Sequence, residues 1–230
     1  MKKKIFMENI ITKNRNYNGY IRGKSFILSS LSTKTLYSFF LIGLILCSCE
    51  DDCSPVPPHT NSIYYNTDGR SASNPGSINL DLNSDRTTDY IIYFGVAANS
   101  NGDHLYAIIN PIDANLIKSG PNIDNNLFNM GFLVAETYND NINLELQLNQ
   151  FWTDEPNAIV IRNTNNDASI WYEGNWSNNS SNIVGIQLVS NGKRYFGWLR
   201  IKFDKLTEIV TLIDFAYEKT ENRTIKAGDY

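Results

Sequence analysis

Ile142-Asn143-Leu144-Glu145-Leu146-Gln147-Leu148-Asn149 alternates apolar and polar residues without a break. Side chains on an extended strand point alternately to opposite faces, so this stretch predicts a half-buried strand with its aliphatic side inward. The same reading extends outward in both directions. Runs at 78–82, 90–96, 105–109, 132–136, 158–162, 170–172, 183–189, 194–203 and 208–217 read as strands, separated by clusters of Asn, Asp, Gly and Ser that favour turns. No segment keeps apolar residues at i, i+3, i+4 and i+7 over three turns; residues 115–118 and 125–129 offer one helical turn each. About ten strands at this spacing predict an all-β domain over residues 63–230, a single β-sandwich of jelly-roll type.

Composition agrees with one such domain. The chain has 230 residues, of which 42% are hydrophobic, enough for one sizeable core. Only 19% are charged, below the usual level of about 25%, which excludes a coiled coil or a disordered polyelectrolyte. The net charge of -4 is unevenly placed: residues 1–48 hold eight of the 20 bases and one of the 24 acids, leaving 12 bases against 23 acids beyond them. So acidic a region is not expected to bind nucleic acid, since little in it can neutralise a row of phosphates.

The basic residues Lys2, Lys3, Lys4, Lys13, Arg15, Arg22, Lys24 and Lys34 precede an apolar run at 36–46. A basic region followed by about a dozen apolar residues has the layout of a secretory signal, and is shorter than the ~20 that a spanning helix needs. Leu46-Cys47-Ser48-Cys49 and Glu50-Asp51-Asp52 come next. This tetrad resembles the lipobox of bacterial lipoproteins, with the small Ser48 marking Cys49 over Cys47 as the modified residue. The resemblance implies cleavage after residue 48, a thiol on Cys49 carrying fatty acyl chains such as palmitate, and a membrane partner reached through that lipid. The acidic run resembles the signal that sends certain Gram-negative lipoproteins to the outer face of the outer membrane. Residues 49–62, with Pro55, Pro57 and Pro58, then form a stiffened tether. Cys53 has no partner in residues 54–230, so the domain is expected to stand without disulfides.

Catalytic chemistry is sparse. His59 lies in the tether and His104 in an expected turn, with no nucleophile motif beside either and no spacing suited to zinc. Glycoside hydrolysis needs two carboxyl groups about 5–10 Å apart. Glu145, Glu155 and Glu173 are the acids that could supply them in a surface hydrolase or lyase; solvated faces and turns are the ordinary reading of them.

Asp81-Leu82-Asn83-Ser84-Asp85-Arg86-Thr87-Thr88-Asp89 places oxygen side chains at alternate positions, as a loop wrapping calcium does. It resembles the Asp-rich loops of extracellular β-proteins, FG-GAP repeats among them, in which a strand follows at once. That resemblance implies Asp81, Asn83, Asp85 and Asp89 as side-chain ligands, with Thr87 by its carbonyl. Arg86 departs from it, standing where such loops place Gly. A turn that caps its own backbone explains the same residues.

Aromatic residues suggest a sugar platform. Trp171, Trp176 in the polar loop 173–179, and Trp198 beside Phe196 are the expected stacking residues; packing beneath a neighbouring loop is the other reading for Trp198. Tyr195-Phe196-Gly197-Trp198, Ala216-Tyr217-Glu218 and Ala227-Gly228 together resemble an uncharacterised all-β domain of secreted bacterial proteins, a resemblance that implies no activity. The expected protein is therefore a cell-envelope lipoprotein carrying a non-catalytic binding module for a glycan or an envelope protein. A surface hydrolase and a structural envelope protein are the alternatives.

Overall fold

A computed structural model describes residues 61–122, 128–178 and 180–230, all within the compact unit Ser54–Tyr230. The signal, Cys49 and most of the tether lie outside the described residues, among which none is helical. The strands are β1 (Ser62–Ala72), β2 (Ser77–Leu80), β3 (Tyr90–Asn99), β4 (Gly102–Pro111), β5 (Leu116–Asn122), β6 (Gly131–Leu133), β7 (Asn141–Ile142) and β8 (Phe151–Thr153). They continue with β9 (Asn157–Asn165), β10 (Ile170–Glu173), β11 (Ser181–Ser190), β12 (Lys193–Asp204), β13 (Ile209–Glu218) and β14 (Ile225–Lys226).

The protein is all-β. Instead of a clear sandwich of two separate sheets, one continuous sheet of 12 strands rolls up in a barrel-like way. Its path runs β1-β13-β12-β11-β5-β6-β9-β4-β3-β2, with β8 on β5 and β10 on β9. The junction is the short β6, antiparallel to β5 through Ser119↔Leu133 and parallel to β9 through Phe132↔Ala158. A jelly roll would split at this point; here β6 supplies ladder bonds to both sides and keeps the sheet whole. The path ends at β1 and β2, which do not pair with each other.

The two halves of the sheet face a common core. Ile78, Ile92, Ile109 and Ile159 from one half meet Val184, Leu199, Ile201 and Phe203 from the other, all buried. Each such side chain contributes roughly 1.5–3 kcal/mol by leaving water. Tyr90 ties the halves together: its buried hydroxyl donates to the carbonyls of Leu116 and Gln187, at 3.0 and 2.9 Å.

The expected strand at 142–149 is not formed. Only Asn141 and Ile142 pair, with β14, and the chain then bends away. Ile142 is buried, whereas Leu144 and Leu148 are 58% and 91% exposed. Among the described residues no strand takes the ladder bonds of the rest of this stretch. Side chains take its amides instead: Glu145 N–H donates to Asn143 Oδ1 at 2.8 Å and Gln147 N–H to Gln150 Oε1 at 3.2 Å.

Of residues 115–118, expected as a helical turn, all but Asn115 open β5 instead. This strand hides its period because the buried Lys118 and Ser119 stand where apolar residues would mark it. Lys118 Nζ is 2.8 Å from Glu136 Oε1, both side chains 5% exposed. β1 is a strand beyond those expected: Ser62 closes the expected tether, and the rest of β1 lies in the domain ahead of the first expected strand. It is an edge strand that among the described strands pairs with β13 alone, with Asp68 and Gly69 at positive φ where its register against β13 shifts.

Candidate ligand groove

A groove of about 650 Å³ opens where β5, β8 and the outer face of β3 meet. Its aromatic lining is Tyr93, Phe128 and Phe151, the last two 45% and 50% exposed. Phe128 packs edge-on against Tyr106 at 4.7 Å between ring centroids. A Cβ at Gly95 would lie 3.3 Å from Ile108 Cδ1 and in ordinary contact with the Phe128 ring at 3.6 Å.

The floor is a fixed polar network. Asn157 Oδ1 accepts from the Ser119 hydroxyl at 2.5 Å and from the Gly131 amide at 3.1 Å, and its Nδ2 donates to the Glu155 carbonyl at 2.8 Å. Asn157 and Ser119 are buried, and this bonding satisfies them within the protein. Gly131 is required at this point, because a Cβ would lie 2.6 Å from the Gly120 carbonyl oxygen and 2.7 Å from Ser119 Oγ. Glu155 N–H donates to Thr153 Oγ1 at 3.0 Å, so the backbone beneath the exposed Glu155 side chain is held on both sides.

Of the three acids singled out for hydrolysis, only Glu155 lines this groove. Glu145 belongs to the bent stretch after β7, and Glu173 lies on β10. Glu173 joins two other expected residues in a row across β10, β9 and β4. Trp171 Nε1 donates to Glu173 Oε1 at 2.7 Å, and Asn163 Nδ2 donates to the same oxygen at 3.0 Å. That leaves Asn163 Oδ1 to accept from His104 Nδ1, 2.6 Å away. The row binds its members to one another, and Trp171 is 39% exposed.

Trp176 and Trp198 are corrected by their burial: neither has any exposed surface. Trp176 enters the core and donates its indole N–H to the Ile201 carbonyl at 2.8 Å. Trp198 packs with Phe196 against Ile142, Ile225 and Ala227, and donates to the Asp229 carbonyl at 2.9 Å. The polar loop around Trp176 hid a core anchor, and Trp198 follows the packing reading.

The Asp-rich loop caps itself. The amides of Asp85 and Arg86 donate to the two Asp81 carboxylate oxygens at 3.1 and 2.8 Å, and Asp85 N–H also reaches Asn83 Oδ1 at 3.0 Å. Thr87 N–H donates to Asp85 Oδ1 at 2.8 Å, and this bond, followed by one from Asn83, holds the Asp85 carboxyl below its ordinary range. Asp89 is buried, which pushes its carboxyl up, while the Leu82 amide bond at 2.7 Å opposes the shift. As folded, these oxygens accept the loop's own amides, as a turn that caps its own backbone does. Among the described residues no three His, Cys, Asp or Glu side chains group to hold a metal ion.

No protein-family model matches the chain, and neither the curated proteins nor the solved structures yield a match. The likenesses to lipoproteins, to FG-GAP loops and to the secreted all-β domain rest on the residues quoted for them.

Proposed function

We propose that the protein is a lipid-anchored envelope protein whose domain is a non-catalytic glycan-binding module, tethered to the outer membrane through Cys49. One observation carries the glycan reading: the groove sets the exposed rings of Phe128 and Phe151 beside the neutral polar side chains of Asn122, Asn129 and Thr153. Sugars offer an apolar C–H face and a rim of hydroxyls, and such lining meets both. Its size lies within the usual range of about 300–1,000 Å³ for small-ligand sites. Glu155 is the one acid among its described lining residues, where hydrolysis by the usual route asks for two.

The test uses the full chain in detergent, mixed with insoluble polysaccharides and with peptidoglycan, and reads the protein left in solution. Depletion by at least one glycan is expected, and Phe151→Ala should weaken it by about 1–2 kcal/mol. Absence of depletion throughout would replace this reading with a structural envelope protein. Release of reducing ends would replace it with a hydrolase.

A further inference from the structure

The groove is uneven in charge. Its described lining contains no Lys, Arg or His, and the single ionisable acid in it is Glu155. No described cation pairs with that carboxylate, and its backbone is pinned by Thr153 and Asn157. Tyr93, Phe128 and Phe151 also line it, and an aromatic ring is negative over its face and attracts a cation placed there. Beyond residue 48 the chain holds 23 acids against 12 bases, so the longer-range field also draws cations. A uronate or phosphate entering this groove would meet a carboxylate and find no base to offset it.

We infer that the groove selects a glycan bearing free primary amines, of the glucosamine type, over its N-acetylated or acidic counterparts. This rests on the reading of the groove as a sugar site. Glu155 pairs with the ammonium group, the rings cover the sugar face, and the asparagines take neighbouring hydroxyls.

The experiment titrates the full chain in detergent with glucosamine oligomers and with N-acetylglucosamine oligomers of equal length. It is run at a pH of about 5.5, where the sugar amine is charged. The amine form should bind about fivefold more tightly, a ratio suited to one exposed ion pair, and added salt should narrow the gap. Glu155→Gln, an exposed position whose change should leave the melting temperature in place, should abolish the difference. Equal binding of both oligomers would overturn the charge selection and leave the sugar site standing. Binding of neither would overturn the sugar site itself. A preference for the amine that survives Glu155→Gln would move the selection out of the groove and overturn the role given to Glu155.

Discussion

Two stretches of this chain alternate apolar and polar residues in much the same way, yet they fold differently. Residues 193–218 form the hairpin of β12 and β13, in which Leu199, Ile201 and Phe203 are buried on one side. Residues 142–149 carry the cleaner pattern and pair over Asn141 and Ile142 alone. The difference lies in the neighbours. β12 has β11 on one side and β13 on the other, so its amides and carbonyls find partners along its length. β7 has the two residues of β14; beyond it no described strand pairs with the rest of this stretch, and Asn143 and Gln150 take up two of its amides. Alternation encodes which way side chains point once a strand exists; strand formation needs a second strand to receive the bonds.

The largest expected effect separates the stretches by burial. Phe203→Ala removes a ring that is 1% exposed and should cost about 3–5 kcal/mol in denaturant unfolding, the usual range for deleting a core aromatic. A loss below about 1 kcal/mol would mean that the core relaxes around the gap, and that the hairpin is not what the two halves of the sheet close upon.

Glu136 probes the ground beside Ile142, where the second stretch begins. A Cβ at Gly185 of β11 would lie 3.3 Å from each of Glu136 Oε1, Ile142 Cγ2 and the Trp152 ring, so the glycine lets all three settle against the sheet. Burial pushes the Glu136 carboxyl above its ordinary 4.5, and the bond and charge of Lys118 oppose this. The folded chain therefore holds this proton more firmly than the unfolded chain. The resulting stabilisation is complete below pH 4.5 and is lost as pH rises through the raised value. Glu136→Gln should flatten that decline while costing about 3 kcal/mol overall, because it strands the buried Lys118 charge. Urea midpoints of both proteins, taken stepwise upward from about pH 4, measure both effects. Parallel pH profiles would mean that Glu136 keeps its ordinary titration beneath the loop.

Most of the sheet was legible in the sequence, and the failures share a cause. The runs at 90–96, 183–189 and 194–203, and all but the first residue of 208–217, lie within strands, because most of their apolar residues face the core or a packed outer layer. β5 was obscured because a tertiary ion pair lets Lys118 stand in a buried strand, and that pair joins residues 18 positions apart. The groove was less legible. Glu155 was visible as an acid, but Phe128 and Phe151 flank short or irregular segments with no period to display them. The tryptophans drew attention by residue type, yet Trp176 and Trp198 are buried and hydrogen-bonded within the domain. Gly131, where no side chain fits, was the available signal for a crowded floor, and a lone glycine looks the same in any turn.

The smallest expected effect gives the sharpest contrast. Leu148 is 91% exposed at the bend where its strand was expected, so its side chain leaves little surface from water on folding. Leu148→Ser should therefore shift stability by no more than about 0.5 kcal/mol, as exposed substitutions away from structured contacts do. The same replacement in a strand with its aliphatic face inward would cost several times as much, by lost burial and by an unbonded hydroxyl. Denaturant unfolding of Leu148→Ser next to Phe203→Ala thus asks whether the alternation at 142–149 is structural. A loss of about 2 kcal/mol or more at Leu148 would place this stretch in a packed strand in solution and remove the contrast between the two regions.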